Sequence, residues 1–167
     1  MSKRLLNGLK KAIEFESSGH YFYLMAAESM KDSKGKKLFK KLADEEMEHK
    51  KFLETQFNAI LKTGKPDTKA ELKSGIDLSG DNPLFSDGLR KRIKDAHFEI
   101  SAVAIAINLE LNSIKHYQAE VKAAKEPKVK KFYQTLVKWE TGHYDALVRQ
   151  DKELKETYWE QAGFAPF

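Results

Sequence analysis

A Glu-x-x-His motif occurs twice in this chain, at a separation of 94 residues. Glu46 and His49 form the first copy, and Glu140 and His143 form the second. Residues three apart in a helix lie on the same face about one turn apart, so each copy directs a carboxylate and an imidazole towards one point. A single copy would be weak support for a metal site, because such short motifs also arise by chance.

The repeat extends upstream of both motifs without a gap. Thirty residues before each motif glutamate stands another glutamate, Glu16 or Glu110, and seven residues after that stands a tyrosine, Tyr23 or Tyr117. Of the five histidines, only the two in the motifs have a carboxylate three positions earlier. We therefore predict a metal site whose ligands are Glu16, Glu46, His49, Glu110, Glu140 and His143.

The composition favours an all-α fold. A chain of 167 residues is long enough for one domain, spanning 1–167, with a substantial core. Glycine and proline are sparse, at 9 and 4 residues, and 33% of the residues are charged. Alanine, leucine, lysine and glutamate are abundant, so helix is the expected state.

The charge pattern and the lack of cysteine limit the partners of this chain. The net charge is +5, but the lysines alternate with glutamates on polar helix faces, so we expect a solvated surface and no nucleic-acid partner. The absence of cysteine excludes disulfides, thiolate metal sites and a cysteine nucleophile.

The N-terminus lacks a secretory apolar segment, and the most apolar stretch, 100–109, is about half a bilayer span. We expect a cytoplasmic protein with no membrane partner.

The apolar periodicity predicts four long helices. Hydrophobic residues recur at three- and four-residue steps over about 3–31, 36–61, 89–124 and 127–159. The predicted ligands interrupt these apolar stripes, where a carboxylate is costly without a partner. The remaining long segment, 62–88, suits an overhand crossover along a bundle. We predict an antiparallel four-helix bundle with a long crossover between helices 2 and 3.

Local signals predict further details at the helix ends. Asp32 or Ser33 is available as the N-cap of the second helix, and Pro127 suits the first position of the fourth. We expect a helical turn at about 69–73 inside the crossover. The aromatic tail, 162–167, is expected to pack on the bundle.

Four residues near the motifs receive no ligand role. His20 faces the core, but its repeat counterpart is Ile114, so we interpret His20 as a hydrogen-bonded core residue. Glu45 and Glu48 point away from the inward face and are interpreted as surface charge. Trp139 points about 100° away from the adjacent ligand and is assigned no role.

A bundle of this kind brings four glutamates and two histidines together at its middle. Four carboxylates in a low-dielectric core repel each other strongly, and two divalent cations cancel their charge. This is the known ligand pattern of di-iron and di-manganese carboxylate bundles. Carboxylate oxygens with one imidazole per metal suit iron or manganese, and the lack of thiolate argues against structural zinc. We expect two iron ions, with manganese as the alternative.

The sequence resembles the ferritin-like superfamily and, within it, the rubrerythrin-related proteins. The resemblance covers about 5–159 and rests on the two motifs, the upstream glutamates and the two tyrosines. It implies that Glu46 and Glu140 bridge the two metal ions. It also implies a terminal glutamate and a terminal histidine on each ion, namely Glu16 with His49 and Glu110 with His143.

The resemblance also has implications beyond the ligands. Tyr23 and Tyr117 would donate hydrogen bonds to ligating carboxylates, although amphiphilic core tyrosines are the alternative interpretation. Rubrerythrins proper carry a cysteine-ligated rubredoxin domain and an extra glutamate three residues after the third-helix ligand. This chain has no cysteine and has Ser113 at that position. We therefore expect electrons to come from a separate electron-donor protein.

The resemblance implies two functions for such a site. The first is a di-iron oxidoreductase, of peroxidase or ferroxidase type, that reduces hydrogen peroxide or dioxygen with Fe(II)/Fe(III) cycling. The second is a ferritin-like iron-binding protein that oxidises iron for sequestration or delivery. A metal-free helical interaction module is a third interpretation. We also expect a homodimer, because a long crossover permits pairing or exchange of two-helix halves.

Overall fold

The computed structural model describes residues 3–72, 75–76, 78 and 83–163, and within them the chain is helical with no strand. In chain order the elements are α1 (Lys3–Ser29), α2 (Ser33–Thr63), α3 (Asp87–Lys91), a 3-10 turn (Ile93–Asp95), α4 (His97–Ala123) and α5 (Pro127–Ala162). The predicted all-α fold class is confirmed. None of the helices in this described part is long and apolar enough to cross a membrane.

The four long helices form an antiparallel bundle. Short loops join α1 to α2 and α4 to α5 as packed helical hairpins. Between the hairpins, Glu16 of α1 contacts Tyr117 of α4, whereas Tyr23 contacts Glu110, so these two helices run in opposite directions. The same reversal relates α2 and α5, whose contacts run from Glu45 with His143 to Phe52 with Phe132. The arrangement is the predicted ferritin-like bundle.

The helix boundaries follow the sequence repeat. Helices α1 and α4 both have 27 residues, and α4 begins 94 residues after α1. Helix α5 also begins 94 residues after α2, although it is longer, with 36 residues against 31. The repeat therefore describes two structurally similar helical hairpins.

The starts of α2 and α5 agree with the sequence signals. Asp32 is the N-cap of α2, and its Oδ1 accepts a hydrogen bond of 2.7 Å from the backbone N–H of Gly35. Pro127 is the first residue of α5. Both helices end at a glycine in the left-handed region, Gly64 at φ 75° and Gly163 at φ 73°.

The predicted third helix, 89–124, is divided in the structure. Helix α4 begins only at His97, after α3 and the 3-10 turn. Leu89 and Ile93 are fully buried in the apolar core. The α1–α2 loop lies beside Glu99, near the start of α4. If α4 continued straight towards the N-terminus, Leu89 and Ile93 would therefore lie beyond that loop, outside the core. The turn between α3 and α4 instead places these two side chains in the core, where their burial favours it.

Two glutamines related by the repeat anchor the ends of the crossover. Gln56 of α2 exchanges hydrogen bonds of 3.0 and 3.1 Å with the backbone of Asp67. Gln150 of α5, 94 residues later, accepts a hydrogen bond of 2.6 Å from the backbone N–H of Leu84. The crossover is therefore attached to each hairpin at the same position of the repeat, and these two positions lie towards opposite ends of the bundle because α2 and α5 are antiparallel.

Two local predictions have other outcomes. The helical turn expected at 69–73 is wrong for 69–72, which are not helical, while Lys73 lies outside the described residues. The Asp67 carboxylate accepts a hydrogen bond of 2.8 Å from the backbone N–H of Lys69, and this local turn competes with helix formation. Most of the aromatic tail, 164–167, also lies outside the described residues, so its packing stays a prediction.

Candidate metal centre

Six ionisable side chains lie at the middle of the bundle, between two apolar clusters. Tyr23 and Phe39 belong to the cluster at one end, and Tyr117 and Leu136 to the cluster at the other. Each of the six residues is at most 4% exposed. They are the six predicted ligands, Glu16, Glu46, His49, Glu110, Glu140 and His143.

The six side chains form two overlapping groups. In each group four residues offer one atom apiece, and these four atoms lie within 4.8 Å of one another. One group has Glu16 and His49 as its own members, and the other has Glu110 and His143, while both share Glu46 and Glu140. The geometry is that of two adjacent metal positions with two carboxylates in common.

Several buried polar atoms of this cluster lack a hydrogen bond. Among the described residues, they are Glu16 Oε2, Glu46 Oε1, both carboxylate oxygens of Glu140, and Nδ1 of His49 and His143. A buried polar atom left unpaired costs about 1–3 kcal/mol. All of these atoms face the same small volume, so metal ions fit the donor set that surrounds it.

Burial and mutual repulsion shift the pKa values of the cluster. Burial, and then the charge of Glu140, holds the pKa of Glu46 well above its usual range and raises that of Glu110 to about 8. Burial disfavours the imidazolium of His49, yet Glu140 and Glu16 raise its pKa to about 10. Burial alone would also raise the pKa of Glu140, but the two histidines hold it below its usual range. Protons thus supply the positive charge that bound metal would supply.

Two buried tyrosines connect the two halves of the repeat. The hydroxyl of Tyr23 on α1 donates a hydrogen bond to Glu110 Oε1 on α4. The hydroxyl of Tyr117 on α4 donates to Glu16 Oε1 on α1. Burial, reinforced by the glutamate that each contacts, raises the pKa of both tyrosines, so they remain protonated donors. These are the hydrogen bonds that the sequence resemblance implied.

The prediction that Glu45 is surface charge is wrong. Its side chain is 15% exposed, and its Oε2 lies 2.7 Å from Nε2 of His143. Glu45 stands four residues before His49 on α2, so it lies on the side of the helix that faces α5. Glu48, by contrast, is exposed as predicted, and the structure pairs it with Lys51.

Trp139 also has a contact that the sequence interpretation missed. Its indole stacks on the ring of His49, with centroids 5.2 Å apart and an interplanar angle of 28°. The sequence spacing does indicate this contact, because Trp139 precedes His143 by four residues and therefore lies on the side of α5 that faces α2. His20 matches its interpretation, since its Nδ1 lies 2.7 Å from the backbone oxygen of Ala43.

Two helical glycines beside the centre are expected to respond differently to alanine. A Cβ at Gly19 would lie 3.2 Å from Glu46 Oε2, whereas a Cβ at Gly142 would meet nothing within 4 Å. Gly142→Ala should raise the free energy of unfolding by about 0.4–1 kcal/mol, because the unfolded chain loses conformational freedom. Gly19→Ala should displace Glu46 and weaken metal binding.

Each variant serves as the control for the other. Chemical denaturation of the metal-free proteins measures stability, and a calorimetric titration with Mn²⁺ measures affinity. The prediction is wrong if Gly19→Ala binds Mn²⁺ as tightly as Gly142→Ala does.

Comparison with known proteins gives one match. The family model described as Rubrerythrin matches residues 7–150 of this chain. No curated protein and no solved structure matches this chain. The matched range contains all six residues of the cluster and both tyrosines.

Proposed function

Because this chain belongs to the rubrerythrin family, we propose that it is a non-haem di-iron oxidoreductase that reduces hydrogen peroxide or dioxygen. The observation that carries the proposal is the buried set of four carboxylates and two imidazoles whose inward atoms lack hydrogen bonds. Oxygen donors with one imidazole per position suit iron or manganese. Two bound iron ions would supply the two electrons that convert hydrogen peroxide and two protons into two waters.

Each residue of the cluster has a distinct role in this proposal. Glu46 and Glu140 belong to both groups and would bridge the two ions. A terminal glutamate and histidine would complete each position, namely Glu16 with His49 and Glu110 with His143. The two tyrosines hold the terminal glutamates in place, because a hydrogen bond to one carboxylate oxygen fixes where the other points.

A cavity reaches the cluster at His143, and the burial of the cluster residues supports a small oxidant as the substrate. The volume of the cavity is about 570 Å³, and Trp139, Gly142 and His143 of α5 line it opposite Leu72 and Ile76 of the crossover. The six cluster residues themselves are almost inaccessible. Hydrogen peroxide or dioxygen is small enough to approach such a site, whereas a large organic substrate is not.

The proposed activity requires a source of electrons. The sequence contains no cysteine, so it holds no rubredoxin-type iron site of its own. We propose a separate electron-donor protein as the partner that returns electrons after each turnover. Association of two copies into a homodimer stays a prediction.

Turnover distinguishes this function from iron sequestration. We expect protein loaded anaerobically with Fe²⁺, and supplied with an excess of chemical reductant, to consume many equivalents of hydrogen peroxide or dioxygen. Glu46→Ala should lose this activity, while Glu48→Ala, two residues away on the exposed face, should keep it. Consumption that stops after the bound iron is oxidised, with iron then accumulating as mineral, would favour the ferritin-like alternative.

A further inference from the structure

The two histidines of the cluster have different neighbours on their outer sides. His143 Nε2 lies 2.7 Å from the Glu45 carboxylate, whereas the ring of His49 stacks on Trp139. Glu45 and Trp139 are 94 residues apart, so they occupy corresponding positions in the two halves. The repeat is therefore broken at this pair of residues, each of which contacts one of the two histidines.

The carboxylate of Glu45 determines which nitrogen of His143 faces the cluster. A carboxylate only accepts hydrogen bonds, so Nε2 carries the proton and Nδ1 is left for a ligand. That Nδ1 lies 3.4 Å from Glu140 Oε2 and 3.7 Å from Glu110 Oε1. Glu45 is itself oriented, since its other oxygen accepts a hydrogen bond from the backbone N–H of Ile76 in the crossover.

His49 lacks this support. Its Nδ1 also faces inward, 3.0 Å from Glu140 Oε1. Among the described residues, however, no carboxylate accepts a hydrogen bond from its Nε2, and the Trp139 ring brings no charge. A carboxylate on the outer N–H of a histidine fixes the ring and increases its basicity as a ligand, and its loss typically costs 10–100-fold in metal affinity.

We propose that the two metal positions are unequal, with the His143 position the tighter one, and that Glu45 creates the difference. The inference rests on the proposed dinuclear site. The first ion then binds with His143 and Glu110, and the second with His49 and Glu16. Glu45 acts as a positioning residue, because it contacts the histidine and not the metal.

Calorimetric titration of the metal-free protein with Co²⁺ tests this order. The wild-type protein should show two binding steps, with affinities that differ by about 10–100-fold. Glu45→Gln should weaken the tighter step by a similar factor and bring the two steps together. Glu48→Gln, on the exposed face of the same helix, should leave both steps unchanged.

Two single-histidine variants test the same inequality without changing Glu45. His49→Gln retains the supported position and should bind one Co²⁺ about 10–100-fold more tightly than His143→Gln does. Bound Co²⁺ should also shift the NMR resonance of the outer imidazole N–H. In His49→Gln this proton belongs to His143 and should exchange slowly with water, because Glu45 accepts its hydrogen bond. In His143→Gln it belongs to His49 and should exchange rapidly. Equal affinities in these two variants would overturn the proposal.

The outcomes separate this inference from the proposed function. Wild-type protein that binds no Co²⁺, or one ion only, contradicts the dinuclear site and this inference with it. Two ions bound with equal affinity overturn the inference and leave the dinuclear site intact. If Glu45→Gln lowers both affinities equally together with the melting temperature, Glu45 has a structural role in the crossover and the proposal is wrong.

Discussion

Glu46→Ala is expected to lose at least one of the two metal ions per chain. Glu46 belongs to both groups of ligand atoms, so its removal takes an oxygen donor from each position at once. The residue is 4% exposed, and water has little access to replace the lost carboxylate. The variant should therefore bind fewer than two ions, with the remaining position weakened.

Elemental analysis of the purified variant measures this loss directly. Glu48→Ala is the matched control, because it makes the same substitution two residues later, on the exposed face of α2. We expect the control to retain the wild-type content of iron or manganese. Stoichiometric retention of both ions in Glu46→Ala would show that Glu46 is not a shared ligand.

The metal-free protein is expected to be more stable near pH 5.5 than near pH 7.5. The pKa of Glu110 is raised from 4.5 to about 8, so in this range the folded state holds a proton that the unfolded state has released. Stability therefore falls as the pH rises through this range, by roughly 1.4 kcal/mol per pH unit for each extra proton bound. The raised pKa of Glu46 acts in the same direction.

The other shifted groups do not reverse this sign. The pKa of His49 is raised from 6.5 to about 10, so its contribution is complete below pH 6.5 and is lost as the pH rises towards 10. The lowered pKa of Glu140 contributes stability that is present above 4.5 and lost only at lower pH. Metal-free protein should thus be most stable under moderately acidic conditions.

Metal-loaded protein should show the opposite dependence. Protons compete with metal for the same oxygens and nitrogens, so affinity and the stability that comes from binding both fall as the pH falls. A hundredfold excess of free metal over its dissociation constant should add about 2.7 kcal/mol. Melting curves of both forms at the two pH values measure this, and an unchanged melting temperature after chelation would contradict a buried metal cluster.

The sequence determined the four long helices of the bundle and the six cluster residues. Helical periodicity and the 94-residue offset are local properties, and both are readable without coordinates. An inward-facing carboxylate such as Glu16 in an apolar stripe already requires a partner. Symmetry between the halves then predicted that these residues meet at mid-bundle, where the structure places them.

The tertiary structure alone decided what surrounds that cluster. Glu45 and Trp139 each stand four residues before a cluster histidine, but only the packing of α2 against α5 brings each of them to the histidine of the other helix. The division of the third helix likewise depends on burial of Leu89 and Ile93 at the end of the bundle. Helical periodicity shows which face of a helix is inward. It does not show which side chain of a distant helix contacts the residues on that face. That choice is made by interhelical distance and rotation, which depend on the packing of the whole core.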